Sequence, residues 1–314
     1  MRALPYERPF FYDGDRSWDE HMSKVSYKKR SEAITAWVLL MPALALLTVF
    51  VFWPILYLFV LSFTQGSFTR EGVQWWGLKN YIRFFIDPDV RQVLWNTTYF
   101  TLATVIPSLL IPLGLAIGLN QVVILRGLLR AAYFIPSVTS LVAAGLGFRW
   151  LFQTEGPVNQ ILLALGLNPL PWLGSAVWAM PVLILLSIWK QIGFNLVVFL
   201  AGLQTIPRSR YEAAELDGAN AWAKFRHITL PGLRPTIVFA SITTAIFTLR
   251  GFEPVYVVTG GGPLNSTNIL VHYTYQQAFA QFDFGYAAAA AILLVGIALV
   301  LVYIQLRTWS SVTD

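Results

Sequence analysis

No cysteine occurs in this chain, which excludes a disulfide framework, a thiolate metal site and a cysteine nucleophile. Histidine is almost as scarce: His21, His227 and His272 lie scattered and give no metal-ligand spacing. Charge is scarce too. Charged residues make up 12% of the 314 positions, roughly half the share of a soluble domain. There is no G-x-x-x-x-G-K-[ST] phosphate loop, so the chain carries no ATP site of that type. The run Gly260-Gly261-Gly262 lacks the Lys-Ser/Thr that such a loop needs and reads as a rigid turn. The net charge of +6 does not point to nucleic acid, because the basic residues flank apolar runs instead of gathering on one soluble face.

What is abundant is apolar sequence: 56% of residues are hydrophobic and 12 are Trp, part of which reads as interfacial belt. Six runs match the ~20 residues that cross a bilayer, at 33–63, 97–119, 129–152, 178–201, 235–258 and 286–306. They predict an all-α integral membrane protein of six transmembrane helices, a membrane domain at 33–307 with a polar tail at 1–32 and a short one at 308–314. The N-terminal tail is not a secretory signal: the apolar run after it is too long and no small-residue cleavage site is evident. Its cluster Lys24, Lys28, Lys29 and Arg30 anchors the first span from a cytoplasmic tail, or forms part of an interfacial helix on anionic lipid.

Lysine and arginine set the orientation. With the N-terminus inside, 15 of the 22 basic residues fall on inner segments, while the segments at 153–177 and 259–285 hold none. The positive-inside rule therefore places both termini, and the polar segment 203–234 between helices 4 and 5, in the cytoplasm. In that segment Ser209 and Glu212 have capping-box spacing, predicting a short helix at 210–217. Gly218 stands where a left-handed cap belongs. Asn220 is the expected N-cap of a second short helix, with Pro231 beyond its end. The small residues Ala213, Ala214, Gly218 and Ala219 give a surface that can approach another closely.

Glu212-Ala213-Ala214, three residues, Gly218, nine residues, then Ile228-x-Leu230-Pro231 resembles the cytoplasmic loop of permease subunits of binding-protein-dependent ABC importers. The resemblance covers about residues 33–307. It includes Gly77-Leu78-Lys79-Asn80-Tyr81, Asn96-Thr97, and Arg126-Gly127 through Arg130 to Pro136. Ala201-Gly202-Leu203-Gln204, the run from Thr259 to Thr267, and Phe282-Asp283-Phe284-Gly285-Tyr286-Ala287 are similar to the carbohydrate (maltose-type) branch. The extra helices or large outer domain of some maltose-type members are not evident. The resemblance implies a permease that is not itself an enzyme, in the bacterial cytoplasmic (inner) membrane. Its coupling loop would contact an ATPase through Glu212, Ala213, Ala214, Asp217, Gly218, Ile228, Leu230 and Pro231. It also implies three partners: an ABC ATPase dimer, a second homologous permease and an extracytoplasmic solute-binding protein. No cofactor or metal is expected in this chain, ATP and magnesium belonging to the ATPase. The solute would be a sugar or sugar-like molecule such as an oligosaccharide, glycoside or polyol derivative.

Ionisable and polar groups inside spans are costly and so informative. Trp189, Lys190, Gln191 and Asn195 lie in helix 4, and Arg250 and Glu253 fall three apart in helix 5, where they can pair on one face. These six are the candidates for a polar translocation pathway. Packing roles compete evenly: Arg250 and Glu253 neutralising each other, Lys190 snorkelling, Trp189 filling space. Gln191 and Asn195 share a face, and Lys190 is expected to meet Glu253 or a partner permease. Arg149 reads as an interface anchor, and Gly114, Gly118, Gly145 and Gly147 as sites of close helix approach. A self-sufficient secondary transporter or channel is the alternative, but it calls for inverted repeats or ion-binding carboxylates. A membrane enzyme calls for a His or carboxylate cluster near the interface. Neither pattern is present.

Overall fold

The computed structural model describes residues 35–65, 74–121 and 126–310, without the side chains of 121, 126, 128–130 and 308–310. The basic cluster of the N-terminal tail and the Arg126 and Arg130 side chains lie outside the described residues. The chain falls into two compact units, one ending at Leu58 and the other beginning at Phe59. Helix α1, Thr35–Leu61, is apolar along its length and includes one π-helical turn at Thr48–Phe52. An all-round apolar helix of this length suits hydrocarbon, not water.

The second unit opens with an antiparallel pair, β1 (Thr64–Gln65) and β2 (Gln74–Trp75). Helices α2 (Lys79–Ile86), α3 (Pro88–Gln121), α4 (Arg126–Val138), α5 (Leu141–Leu151) and α6 (Pro157–Ala164) follow. Next come α7 (Ala179–Gln204), α8 (Arg208–Leu216), α9 (Ala221–Gly232, with a π-helical turn at Phe225–Thr229) and α10 (Arg234–Leu249). The last three are α11 (252–259), α12 (270–280) and α13 (Phe284–Ser310).

Four helices, α1, α3, α7 and α13, are each long and apolar enough to cross a membrane, and the count reaches six if two bent pairs each count as one span. One of these bends, and a separate break at Arg250 and Gly251, correct two of the expected spans; the other bent pair is α9 with α10, at 65°. The run at 129–152 is not one helix: α4 and α5 meet at 101° across Thr139 and Ser140. The run at 235–258 stops at Leu249, leaves the helix at Arg250 and Gly251, and resumes as α11. Hydropathy counts apolar residues and is blind to such breaks, whose freed backbone groups find partners in neighbouring elements.

Helix α7 is the centre of the unit, packing against α3, α4, α5 and α10. Toward one end Leu183, Leu186, Phe100 and Val255 pack together; toward the other, Phe199, Leu203, Leu119 and Leu233 do. A third cluster, with Phe84, Val93, Tyr273 and Tyr286, joins α2, α3, α12 and α13. Of the glycines expected at close approaches, a Cβ on Gly145 would stand 3.2 Å from Val257 Cγ1, whereas Gly114, Gly118 and Gly147 face open space within this chain. The tight contacts are elsewhere. A Cβ on Gly193 would strike the Tyr133 carbonyl, and one on Gly202 would strike Thr236 Oγ1.

Candidate functional site

The segment between α7 and α10 is built as a rigid platform. Pro207 is the N-cap residue of α8, extended at φ −60° and ψ 132°, with no side-chain cap bond. The helix therefore starts at Arg208, before the expected 210, and Ser209 lies inside its first turn. This corrects the capping box: Glu212 does not reach back and makes no hydrogen bond or ion pair among the described residues. The other end is as expected. Gly218 takes φ +74°, with Gly218 N–H donating to Glu215 O at 3.0 Å and Ala219 N–H to Ala214 O at 2.9 Å, a Schellman cap. Asn220 Oδ1 then accepts the Ala223 amide at 2.8 Å, capping α9.

Two further contacts clamp α8 against α9. The Tyr211 hydroxyl lies 3.0 Å from Thr229 Oγ1, and Lys224 Nζ donates to Glu215 Oε1 at 2.9 Å. Tyr211 and Ile228 pack on the buried cluster of Leu203, Ile206 and Leu233, so the platform continues into the bundle. Glu212, Ala213, Asp217, Gly218 and Leu230 are exposed, whereas Ala214, Ile228 and Pro231 are half-buried. Beside them stand Leu216, 91% exposed, and Trp222, 65% exposed. The motif reading passed over Tyr211, Glu215, Lys224 and Thr229. Tyr211, Glu215 and Thr229 each adjoin a quoted motif residue, but nothing local to the sequence signals their pairing or that of Lys224.

Inside the bundle, Lys190 is the hub. Its Nζ donates to the carbonyls of Pro136 (2.7 Å), Ser137 (3.1 Å) and Thr139, which end α4. The last carbonyls of a helix lack intrahelical donors and carry the negative end of its dipole, so a cation from α7 satisfies both needs. This replaces the expected pairing with Glu253. Lys190 also borders two cavities. One, about 330 Å³, is lined by Gln191, Phe194, Phe134, Thr243 and Phe247. The other, about 380 Å³, is lined by Arg250, Glu253, Thr139 and Phe247. Arg250 and Glu253 face this shared space from either side of the helix break and form no ion pair among the described residues.

Two candidates stand apart from these cavities. Trp189 packs on Phe148, ring centroids 5.6 Å apart, beside the buried cluster of Leu183 and Leu186. Asn195 is fully buried, with Nδ2 donating to Ser108 O at 2.6 Å and to Thr244 Oγ1 at 3.0 Å. It ties α7 to α3 and α10, leaving its neighbour Gln191 alone on the cavity side, donating to Thr248 Oγ1 at 3.3 Å.

At the end of α3 far from the platform, the glycine-rich turn is held by side chains. Asn96 Nδ2 donates to Asn265 O (2.8 Å) and Asn268 O (3.0 Å), and Thr97 Oγ1 accepts the Leu270 amide at 2.8 Å. Gly260 and Gly261 have φ of +61° and +87°, and a Cβ on Gly261 would press on the His272 ring. His272 is buried, 2.8 Å from Asn268 Oδ1, and burial pushes its imidazole below the ordinary value. Next to it Asp87 Oδ2 accepts from Tyr273 (3.0 Å) and Tyr286 (3.2 Å), and Arg83 bridges Asp283 at 2.6 Å. Burial, with Tyr286 and Asp87 beside it, raises the Tyr273 phenol well above its usual range.

Residues 110–309 match the family of binding-protein-dependent transport system inner membrane components. The chain is 38% identical to the sulfoquinovosyl glycerol transport system permease protein SmoG of Agrobacterium fabrum, over 88% of this chain and 90% of that one. It is 38% identical to the lactose transport system permease protein LacF of Rhizobium radiobacter, over 88% and 94%. It is 40% identical to the arabinooligosaccharides transport system permease protein AraP of Bacillus subtilis, over 84% of each. Its fold is similar to a chain of a bacterial ABC transporter involved in the import of the acidic polysaccharide alginate. The TM-score is 0.80 at 23% identity, with 92% of this chain and 99% of that chain covered. The alginate ABC transporter in complex with an alginate pentasaccharide-bound periplasmic protein gives 0.79 at 25% identity, over 92% and 98%. The chain belongs to the family of binding-protein-dependent transport system inner membrane components, as a multi-pass membrane protein.

Proposed function

We infer that this permease is the translocating subunit of an ATP-driven importer for a sugar or sugar-like solute, and that its 203–234 platform carries the coupling. One observation supports this above others: an exposed surface of Glu212, Ala213, Leu216 and Leu230 rests on a clamped platform whose buried side is continuous with α7 and α10. Those two helices also line the 330 Å³ cavity. A push on the platform is thereby a push on the cavity walls. An ABC ATPase dimer is the partner of that surface, holding the ATP and magnesium. A second homologous permease and a solute-binding protein complete the importer. In this reading α1, α3, α4 with α5, α7, α10 with α11, and α13 each cross once and both termini are cytoplasmic, which puts the platform on the ATPase side of the inner membrane.

The 330 Å³ cavity is the proposed solute site. Phe194, Phe247 and Phe134 offer ring faces, and Gln191, Ser137 and Thr243 offer hydroxyl and amide groups. An apolar pocket with a few convergent polar groups suits a ring with hydroxyls on its edge and C–H groups on its face. Lys190, Arg250 and Glu253 make the adjoining 380 Å³ cavity a polar continuation of the path.

The test is reconstitution in vesicles with a candidate ABC ATPase, second permease and solute-binding protein. Radiolabelled lactose, an arabinooligosaccharide and a sulfoquinovosyl glycoside are offered. ATP-dependent uptake of a glycoside that needs the binding protein is expected. Uptake by this chain alone, without ATPase, would overturn the assignment.

A further inference from the structure

The short helix α2 carries two faces with different partners. Asn80 and Phe84 point inward: Asn80 Nδ2 donates to Ser62 O at 2.9 Å and Thr64 O at 2.8 Å, and Phe84 packs with Tyr286. Arg83 adds the bridge to Asp283. These contacts fix the roll of the helix about its own axis. The opposite face is then committed, and it is apolar: Ile82 is 56% exposed, Phe85 70% and Ile86 73%, with Leu78 and Trp75 beside them. Leu78, Ile82, Phe85 and Ile86 follow i, i+4, i+7, i+8, one continuous stripe. On its flank Lys79 lies over the Trp76 ring at 5.6 Å and makes no ion pair among the described residues.

The position of this stripe narrows what can cover it. Ile117 and Asn120, near the C-terminal end of α3, border the same space as Tyr211 and Lys224 of the platform. Pro88, the first residue of α3, therefore lies at the far end of that span, and α13 begins there too, with Asp283 beside Arg83. Helix α2 thus sits at the ends of α3 and α13 opposite the platform. At eight residues it is too short to cross a membrane. An apolar stripe with Trp and Lys on its border, at that level, matches a helix lying in the headgroup boundary.

We propose that the Leu78, Ile82, Phe85 and Ile86 face of α2 is a phospholipid-binding surface, seated among the acyl chains of the leaflet opposite the coupling platform. Lys79 and Trp76, which border a groove of about 540 Å³ with Ile82 and Ile86, meet the lipid phosphate at headgroup level. Through Asn80 and Arg83 this contact holds the start of α13 and strand β1 at a fixed depth. The proposal requires only that the chain is embedded in a membrane; it does not depend on the transported solute.

The absence of cysteine makes the test direct. Single variants I82C, F85C and I86C of the full chain are spin-labelled in phosphatidylethanolamine–phosphatidylglycerol vesicles, with Glu155→Cys in an exposed loop as the aqueous reference. Accessibility to oxygen and to a water-soluble nickel reagent is then compared. All three sites are expected to favour oxygen, a shift of the depth parameter to positive values, while the reference favours nickel. Nickel accessibility equal to the reference would overturn the proposal in favour of water or a binding-protein surface. Low accessibility to both reagents would overturn it in favour of cover by protein. A Lys79→Glu variant adds a second reading: the Phe85 label is expected to shift toward water in anionic vesicles, and an unmoved label would remove Lys79 from the lipid contact.

Discussion

Lys190 Nζ donates to Pro136 O at 2.7 Å, so a cation on the central helix closes the end of a neighbouring one. Where α4 stops and turns by 101° into α5, that side chain supplies donors the broken backbone lacks. Lys190→Met removes the donors and keeps much of the volume. Hydrogen bonds to charged groups contribute about 1.5–3 kcal/mol each, and leaving the carbonyls unpaired is expected to lower stability by about 3 kcal/mol. Thermal unfolding in detergent measures this, and Lys190→Gln should recover part of the loss. An unchanged midpoint for Lys190→Met would show that water replaces the ammonium.

Asn195 and Gln191 separate stability from transport. Asn195→Leu deletes the bonds to Ser108 and Thr244 inside a fully packed seam. Interhelical polar contacts in membranes are worth about 0.6–2 kcal/mol, so a loss of that size is expected, with solute selectivity unaltered. Gln191→Leu changes a cavity wall and is expected to lower uptake with little change in stability. Uptake measured alongside the unfolding midpoint separates the two; altered selectivity in the Asn195 variant would return that residue to the pathway.

Two platform variants distinguish docking from folding. A side chain at Gly218 meets nothing within 4 Å in this chain, yet φ is +74°. Left-handed backbone costs most residues about 1–2 kcal/mol, and Asn less. Gly218→Asn keeps the cap but adds bulk outside, whereas Gly218→Leu adds both strain and bulk. If the surface docks on an ATPase, both are expected to weaken co-purification and coupled hydrolysis. If only the Leu variant does so, strain is the cause and docking at this point fails.

Glu212 has no partner in its own chain among the described residues, so Glu212→Gln is expected to leave stability within about 0.5 kcal/mol, as surface substitutions do. Loss of the charge should still reduce binding-protein-stimulated ATPase activity in the reconstituted importer. Equal activity of the two forms would leave the carboxylate without a role in coupling.

The buried His272 gives a pH dependence. Burial depresses its folded value below the ordinary ~6.5, so the neutral ring stabilises the fold. That contribution is present above ~6.5 and is lost as pH falls through the folded value, since the unfolded chain takes up the proton first. Unfolding midpoints are expected to drop between pH 7.5 and pH 5. His272→Gln, which keeps a polar partner for Asn268, is expected to flatten that slope. An identical slope in the variant would assign the acid sensitivity to other groups.

The amino-acid sequence by itself determined the membrane class, the approximate positions of the apolar runs, the Schellman and Asn220 caps, and the family. Each of these is local: hydropathy depends on a window of neighbours, and the Glu212 to Pro231 spacing lies within twenty residues. The capping box failed for a local reason as well, because Pro207 fixes the helix start before Ser209 can act as cap. Only the tertiary structure decided what the buried polar groups do. Helical periodicity correctly placed Gln191 and Asn195 on one face, but not what that face meets. Ser108 and Thr244, distant in sequence, satisfy Asn195 and withdraw it from the cavity. Lys190 likewise found carbonyls rather than Glu253, because a helix break more than fifty residues away exposed unpaired acceptors beside it. A backbone break frees hydrogen-bonding groups that apolar surroundings cannot satisfy, and which side chain meets that need depends on how the helices pack.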